Sequence, residues 1–254
     1  MTLCATDSHS LRSQLSARAP RYEARTAWID DEELASALRT AMVGVHPDAS
    51  CVDLGTGTGA LIRHAGSFGR WVGIDISGAM LREARLDWAV VGTAEAVPLR
   101  DSSMDLVAAR SVLYYTDIAR TLAEIKRILR PGGRCLILEK VVGRFHGFSL
   151  DWLRTLESAR NPLKQRLRTT EDLIGLAVSN GLTLVGKHEM DRLYTQSYSE
   201  WLAAIPGEVN QARVQQIALQ PPVEVRQVGF RAFRGGSISL PTTWAVLDLG
   251  KALT

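Results

Sequence analysis

The sequence predicts an α/β fold: a mostly parallel sheet covered by helices on both faces. Three observations lead there. Apolar strand-like runs alternate with amphipathic helical runs over residues 51–142, with a repeat of roughly thirty residues. The first apolar run ends in Asp53 and then in a loop with glycine at every second position, Gly55, Gly57 and Gly59. A later helical run stops at Pro131-Gly132-Gly133 and a new apolar run follows at once.

Each element has its own local reason. Residues 1–20 read as irregular or weakly helical. A first helix is expected over residues 22–28. A second starts near Asp30, where Leu34, Leu38 and Met42 recur at helical spacing. Strand one covers residues 51–54 and a helix follows over 59–67. Strand two covers residues 71–76. The next helix opens at Ser77, whose hydroxyl suits an N-cap, and passes through Met80, Leu81 and Ala84. Strand three is residues 88–91 and strand four residues 105–109. Helix 117–129 sets Ile118, Leu122, Ile125 and Leu129 on one face. Strand five is residues 134–142.

After Val142 the rhythm breaks. Residues 143–168 are rich in Arg, Phe and Trp. A helix is expected over 170–180 with Gly181 as its C-cap, then strand six over 182–188. Residues 196–236 read as short helices interrupted by Pro206, Pro221 and Pro222. The last strand covers 238–249. The chain reads as a single domain over residues 1–254, in which 143–168 and 196–236 are insertions that cap a substrate.

Composition sets bounds. The chain has 254 residues, 46% hydrophobic and 22% charged, with a formal net charge of +3. That length supports a substantial core. The charge is too small to mark a nucleic-acid surface by itself, so no nucleic-acid partner is expected. The three cysteines, Cys4, Cys51 and Cys135, form no CxxC pair, and no metal site is expected. No apolar run is long enough to span a membrane, and the N-terminus carries Asp7 and Arg12 in place of a leader's apolar stretch. The expectation is a cytoplasmic protein of open oligomeric state.

The glycine loop carries the chemistry. A loop of few side chains lets a ligand lie against backbone, and the helix after it offers free N–H groups. Gly55, Gly57 and Ala60 also satisfy the loose dinucleotide fingerprint G-x-G-x-x-A. Asp75 ends strand two, twenty positions after Gly55. A carboxylate there can accept both hydroxyls of an adenosine ribose. It could instead cap the helix near Ser77. These two motifs leave nicotinamide and other adenosine cofactors open.

Further motifs narrow the choice. Ser77-Gly78-Ala79-Met80-Leu81-Arg82-Glu83-Ala84-Arg85 follows strand two. Gly92-Thr93-Ala94-Glu95-Ala96-Val97-Pro98-Leu99, Ser103-Met104-Asp105-Leu106-Val107 and Leu129-Arg130-Pro131-Gly132-Gly133 come next. Together they resemble the class I S-adenosylmethionine (SAM)-dependent methyltransferases, in the branch with the ubiquinone and menaquinone biosynthesis methyltransferases. The resemblance covers residues 50–140. It implies a Rossmann-like, seven-stranded, mostly parallel sheet with an antiparallel last strand. It implies a methyl donor, SAM, that leaves as S-adenosylhomocysteine, and a small-molecule methyl acceptor as partner. Asp53, Gly55, Thr56, Gly57 and Gly59 would contact the methionyl part, and Asp75 with Ile76 the ribose. Met80, Ala94 and Glu95 would border the adenine. Arg110 and Ser111 would lie between methionine and acceptor. The family often has Asp where this chain has Thr93. Arg21-Tyr22-Glu23-Ala24-Arg25 resembles a segment that closes over the cofactor through its Tyr, here Tyr22.

Methyl transfer from a sulfonium needs the acceptor held about 3–3.5 Å from the methyl carbon and in line with the leaving sulfur. A base is needed only where the acceptor must lose a proton. Ligands bind past the carboxyl ends of such strands, which points to Tyr115 and His146 as catalytic candidates and Tyr114 as a substrate contact. Asp117 reads as an N-cap. Glu139 and Lys140 end strand five, where a half-buried carboxylate needs a partner. Arg144 or Arg231 could hold a carboxylate or phosphate on the acceptor. The activity expected is methyl transfer to the O, N or C atom of a small molecule. Its rivals are methylation of RNA or protein, a SAM-binding protein that does not methylate, and a nicotinamide oxidoreductase, which the motifs after Asp75 disfavour.

Overall fold

The computed structural model describes residues 5–143, 150–164, 167–205, 208–227, 229–232 and 236–253. The chain opens with helix α1 (Ala5–Arg18), more regular than its sequence suggested. Leu11 and Leu15 stand one turn apart on it, and Leu11 is buried. Residues 22–28 form turns, not the expected helix. Pro20 sits in a tight turn just before them. The Thr26 hydroxyl donates to the Tyr22 carbonyl, a side-chain bond that competes with a helical one.

Helix α2 (Glu32–Ala41) is capped by Asp31, which accepts from the N–H groups of Glu33 and Leu34. Then β1 (Ser50–Leu54), α3 (Ala60–Ala65), β2 (Arg70–Asp75), α4 (Gly78–Ala84), β3 (Ala89–Val91), β4 (Met104–Arg110), α5 (Ile118–Ile128) and β5 (Leu129–Val141) follow. The second half adds α6 (Leu150–Arg160), α7 (Thr170–Ser179), β6 (Thr183–Ser197), α8 (Tyr198–Ala203), α9 (Glu208–Ala218), α10 (Val223–Gln227), β7 (Arg231–Ala232) and β8 (Ser237–Gly250).

The sheet order is β3-β2-β1-β4-β5-β8-β6. Strands β1 to β5 run parallel, and β8 runs antiparallel between β5 and β6. These are the seven strands expected, with the last one reversed. The two-residue β7 pairs with β8 beside that path. Strand β6 extends well past residue 188 because β8 supplies a partner all the way to Ser197. Between Met104–Leu129 and Leu106–Arg134 the β4–β5 register jumps. Residues 130–133 bulge out there, with Gly132 at φ +74°.

Each central strand alternates its faces. Val52, Val107, Cys135 and Ile137 pack with Leu122 and Ile125 of α5 and Leu173 of α7. Cys51, Leu106, Leu136 and Leu138 pack on the other side with Leu38, Met42 and Leu61. This two-residue period, buried on both faces, is what a helix-covered sheet requires. A separate cluster joins α6, α8, α9 and α10 through Leu156, Trp201, Val214 and Phe230. Chain order reverses between β1 and β4, which opens a crevice at their carboxyl ends.

Candidate active site

The crevice begins with the glycine loop. Gly55, Gly57 and Gly59 have φ of +70°, +56° and +79°, a region that disfavours other residues. At Gly55 a Cβ would also lie 2.5 Å from Val112 Cγ2. The N–H groups of Gly55 and Thr56 donate to the Ile74 carbonyl at 2.8 and 3.0 Å, which binds the loop to β2. Asp75 completes it. One carboxylate oxygen accepts from Gly57 N at 2.9 Å and the other from Ser77 N at 2.8 Å. Each oxygen keeps a lone pair for a ligand. Ser77 in turn caps α4 at Met80 N and meets the Ser16 hydroxyl of α1 at 2.9 Å.

The result is a cleft of about 740 Å³. Gly55, Gly57, Asp75, Ile76 and Met80 line one end, with Thr93, Ala94 and Glu95 beside them. Arg110, Ser111 and Tyr115 line the other, and Leu11 and Leu15 of α1 close over it. Asp53, Thr56 and Gly59 stand behind this surface. Asp53 is 1% exposed, and its Oδ2 has no hydrogen-bond partner. Burial pushes its carboxyl up to about 7. Arg110 is buried too, 5.4 Å from the Trp28 ring and 3.3 Å from His64 Nδ1. Ser111 takes a left-handed backbone, φ +59°.

A second cavity of about 730 Å³ adjoins the first. Tyr22 and Tyr115 line both, so the two spaces meet at these rings. Tyr114 and Tyr115 sit on a tight turn after β4, edge to face at 4.7 Å. Glu139 holds that turn. Its Oε2 accepts from Leu113 N at 2.9 Å and its Oε1 from Lys140 N at 3.1 Å. Glu139 thus has its partners in the backbone and positions the tyrosines, although burial raises its carboxyl to about 7. The Tyr115 hydroxyl accepts from Asn161 Nδ2 at 2.9 Å. Burial pushes the Tyr22 hydroxyl up to about 12.

Sequence reasoning brought together most of this set. Tyr22, Tyr114 and Tyr115 all line the second cavity, and Asp117 is the N-cap of α5, its carboxylate accepting from Arg120 N. Glu95 reaches the cleft, but its Oε1 also accepts from Asp117 N at 2.5 Å. Arg231 does not reach the second cavity. Its guanidinium is spent on the carbonyls of Arg226 and Phe230. His146 and Arg144 lie outside the described residues. Trp28, Arg160, Asn161 and Lys164 line the second cavity without having been singled out, beside Lys140, a candidate at the end of strand five. The basic excess of residues 140–168 was the available signal for Arg160 and Lys164.

Residues 52–137 match the family model described as a methyltransferase domain. Curated relatives agree. The chain is 40% identical over 111 residues to the ubiquinone/menaquinone biosynthesis C-methyltransferase UbiE of Hahella chejuensis, across 38% of this chain and 45% of that protein. Residues 52–137 are similar to methyltransferase domains of the SAM-dependent class. It is also 25% identical over 207 residues to the 2-phytyl-1,4-naphtoquinone methyltransferase of Trichormus variabilis, 72% of this chain and 88% of that one. It spans about half the length of several curated relatives it matches. The YcgJ protein of Bacillus subtilis shares the fold, with a TM-score of 0.72 at 17% identity over 87% of this chain and 98% of that one. Methyltransferases of this class draw the methyl group from SAM. Among the described residues, no helix is long and apolar enough to cross a membrane.

Proposed function

We propose that this chain transfers the methyl group of SAM to an O, N or C atom of a small-molecule acceptor. One observation carries the reading. Among the described residues, Tyr22 and Tyr115 line both the glycine-loop cleft and the second cavity. A donor in one and an acceptor in the other would react at that junction.

The residues present fit SAM. Asp75 lines the cleft, and each of its carboxylate oxygens keeps a lone pair for a ligand hydroxyl. Gly55 lines the cleft with bare backbone, where a Cβ would collide with Val112. Gly57 shares that surface, with Thr56 and Gly59 shaping the turn behind it. Asp75 and Ile76 take the ribose, and Met80, Ala94 and Glu95 the adenine. Thr93 offers a hydroxyl and a carbonyl at the adenine edge. Arg110, Ser111 and Tyr22 surround the methionyl end.

The bound donor supplies an already activated methyl group. The chain supplies orientation and dryness. Tyr115, its oxygen fixed by Asn161, keeps its proton free to donate to the acceptor. Tyr114 packs beside the acceptor. Residues 143–168 and 196–236 cap the second cavity in this reading. The test is calorimetry with SAM, which should bind in the micromolar range and yield S-adenosylhomocysteine once an acceptor is added. No heat with SAM at those concentrations rejects the reading.

A further inference from the structure

We propose that the acceptor is an organic anion, a carboxylate or phosphate, whose charge is held by Lys140, Arg160 and Lys164 in the second cavity. This rests on the methyl-transfer reading and names its substrate class.

The cavity has more positive charge than its own carboxylates neutralise. Lys164 Nζ lies 3.3 Å from Glu157, and Arg160 lies 4.0 Å from the same carboxylate. One acid therefore serves two cations. Burial opposes its charge, yet Lys164, Arg160 and Lys140 together pull Glu157 down to about 2. Lys140 has no carboxylate partner of its own among the described residues. Its ammonium sits against two indole faces, 4.9 Å from Trp28 and 5.3 Å from Trp244. The neighbouring Glu139 bonds to backbone N–H groups instead. Arg160 stacks 5.1 Å from Trp201, and its Nε is buried with no hydrogen-bond partner. Its side chain is 20% exposed and that of Lys164 13%.

Three cations around one carboxylate repel each other in a medium that screens poorly. An anion would relieve that repulsion and take up the free donors of Arg160 and Lys140. The surroundings also fix where the rest of the molecule goes. Lys164 lies 4.5 Å over the Tyr114 ring. Tyr114 leads to Tyr115 and so to the methyl junction. An acceptor with an anionic end on the cations and a flat body along the tyrosines spans that path. Burial and then the charge of Lys164 hold Lys140 well below its usual range, which agrees with a site short of negative charge.

The test is tryptophan fluorescence of the full chain saturated with S-adenosylhomocysteine. Sodium benzoate, inorganic phosphate and pyrophosphate are titrated in turn, with neutral benzamide as control. At least one anion should saturate at millimolar concentration and weaken with added salt, while benzamide should not. Saturation by benzoate alone assigns a carboxylate, and by phosphate or pyrophosphate alone a phosphate. Arg160→Met and Lys164→Met should each weaken that anion about tenfold or more, with S-adenosylhomocysteine affinity within about twofold. The proposal falls if no anion saturates, if benzamide saturates as well as the anion does, or if both variants bind as wild type does. Should a variant fail to fold, the contrast between the saturating anion and benzamide on the wild type, with its salt dependence, decides alone. If S-adenosylhomocysteine does not bind but the anions do, with the same dependence on Arg160 and Lys164, the anion site stands and the methyl-donor reading falls.

Discussion

Asn161 donates a 2.9 Å hydrogen bond to the Tyr115 hydroxyl, across 46 positions of sequence. Asn161 follows α6, and Tyr115 follows β4, so this bond ties the added helices to the parallel sheet at a residue that lines both cavities. Asn161 is 5% exposed and depends on that oxygen. Tyr115→Phe should cost about 1–3 kcal/mol in unfolding free energy, because it leaves a buried donor unpaired. It should lower kcat more than it changes SAM affinity. Denaturant unfolding and steady-state kinetics check both, and an unchanged kcat would remove Tyr115 from the reaction.

Asp75 holds the loop and, in our reading, the ribose. Asp75→Ala should raise the SAM dissociation constant about tenfold or more. Asp75→Asn keeps the volume and one acceptor oxygen, so it retains one of the two backbone bonds while a diol loses half its partner. Calorimetry should place the Asn variant between Ala and wild type. Equal affinity in all three would end the ribose assignment.

Gly55 and Gly44 both have positive φ, +70° and +86°. Only at Gly55 does a Cβ meet a side chain, while Gly44 faces open space. Gly44→Ala should cost about 1–2 kcal/mol of backbone strain. Gly55→Ala should cost more and also abolish SAM binding, since Val112 cannot yield 2.5 Å without moving the post-β4 turn. Thermal melts with and without SAM separate strain from site loss. Equal losses at the two positions would contradict the account.

Stability should depend on pH through the buried carboxyls. Asp53 and Glu139 are both raised to about 7 by burial, whereas unfolded carboxyls titrate near 4. Between about 4 and 7 the folded state holds protons that the unfolded state releases, so stability falls as pH rises through that window. His64, lowered by burial and by Arg110, acts in the opposite direction. The cleaner readout is therefore Asp53→Asn against wild type. Its melting temperature should fall less between about pH 5 and pH 8. Parallel profiles would show that Asp53 does not titrate there.

Much of this protein was legible in its sequence, and for a local reason. A left-handed φ demands glycine, a free N–H at a helix start demands a short acceptor, and a doubly covered strand demands apolar residues at every position. Each of these leaves its mark within a few residues. The strands at β1, β2, β4 and β5, the caps at Ser77 and Asp117, and the loop from Gly55 to Gly59 were visible on that basis. The weakly apolar α1 and the turns at residues 22–28 were not. Their conformation follows from covering the cleft, and Leu11 and Leu15 alone leave too faint a helical period.

The sequence by itself determined the central sheet and, through family resemblance, its reversed last strand, and it pointed to the cleft lined by Gly55, Gly57 and Asp75. Tertiary structure alone decided that Lys140 rests between Trp28 and Trp244, that Arg231 spends its charge on backbone carbonyls, and that Tyr22 joins Tyr115 between two cavities. The physical reason is separation. These contacts join residues tens to hundreds of positions apart, and packing of that kind imposes no period on the chain that could be read in advance.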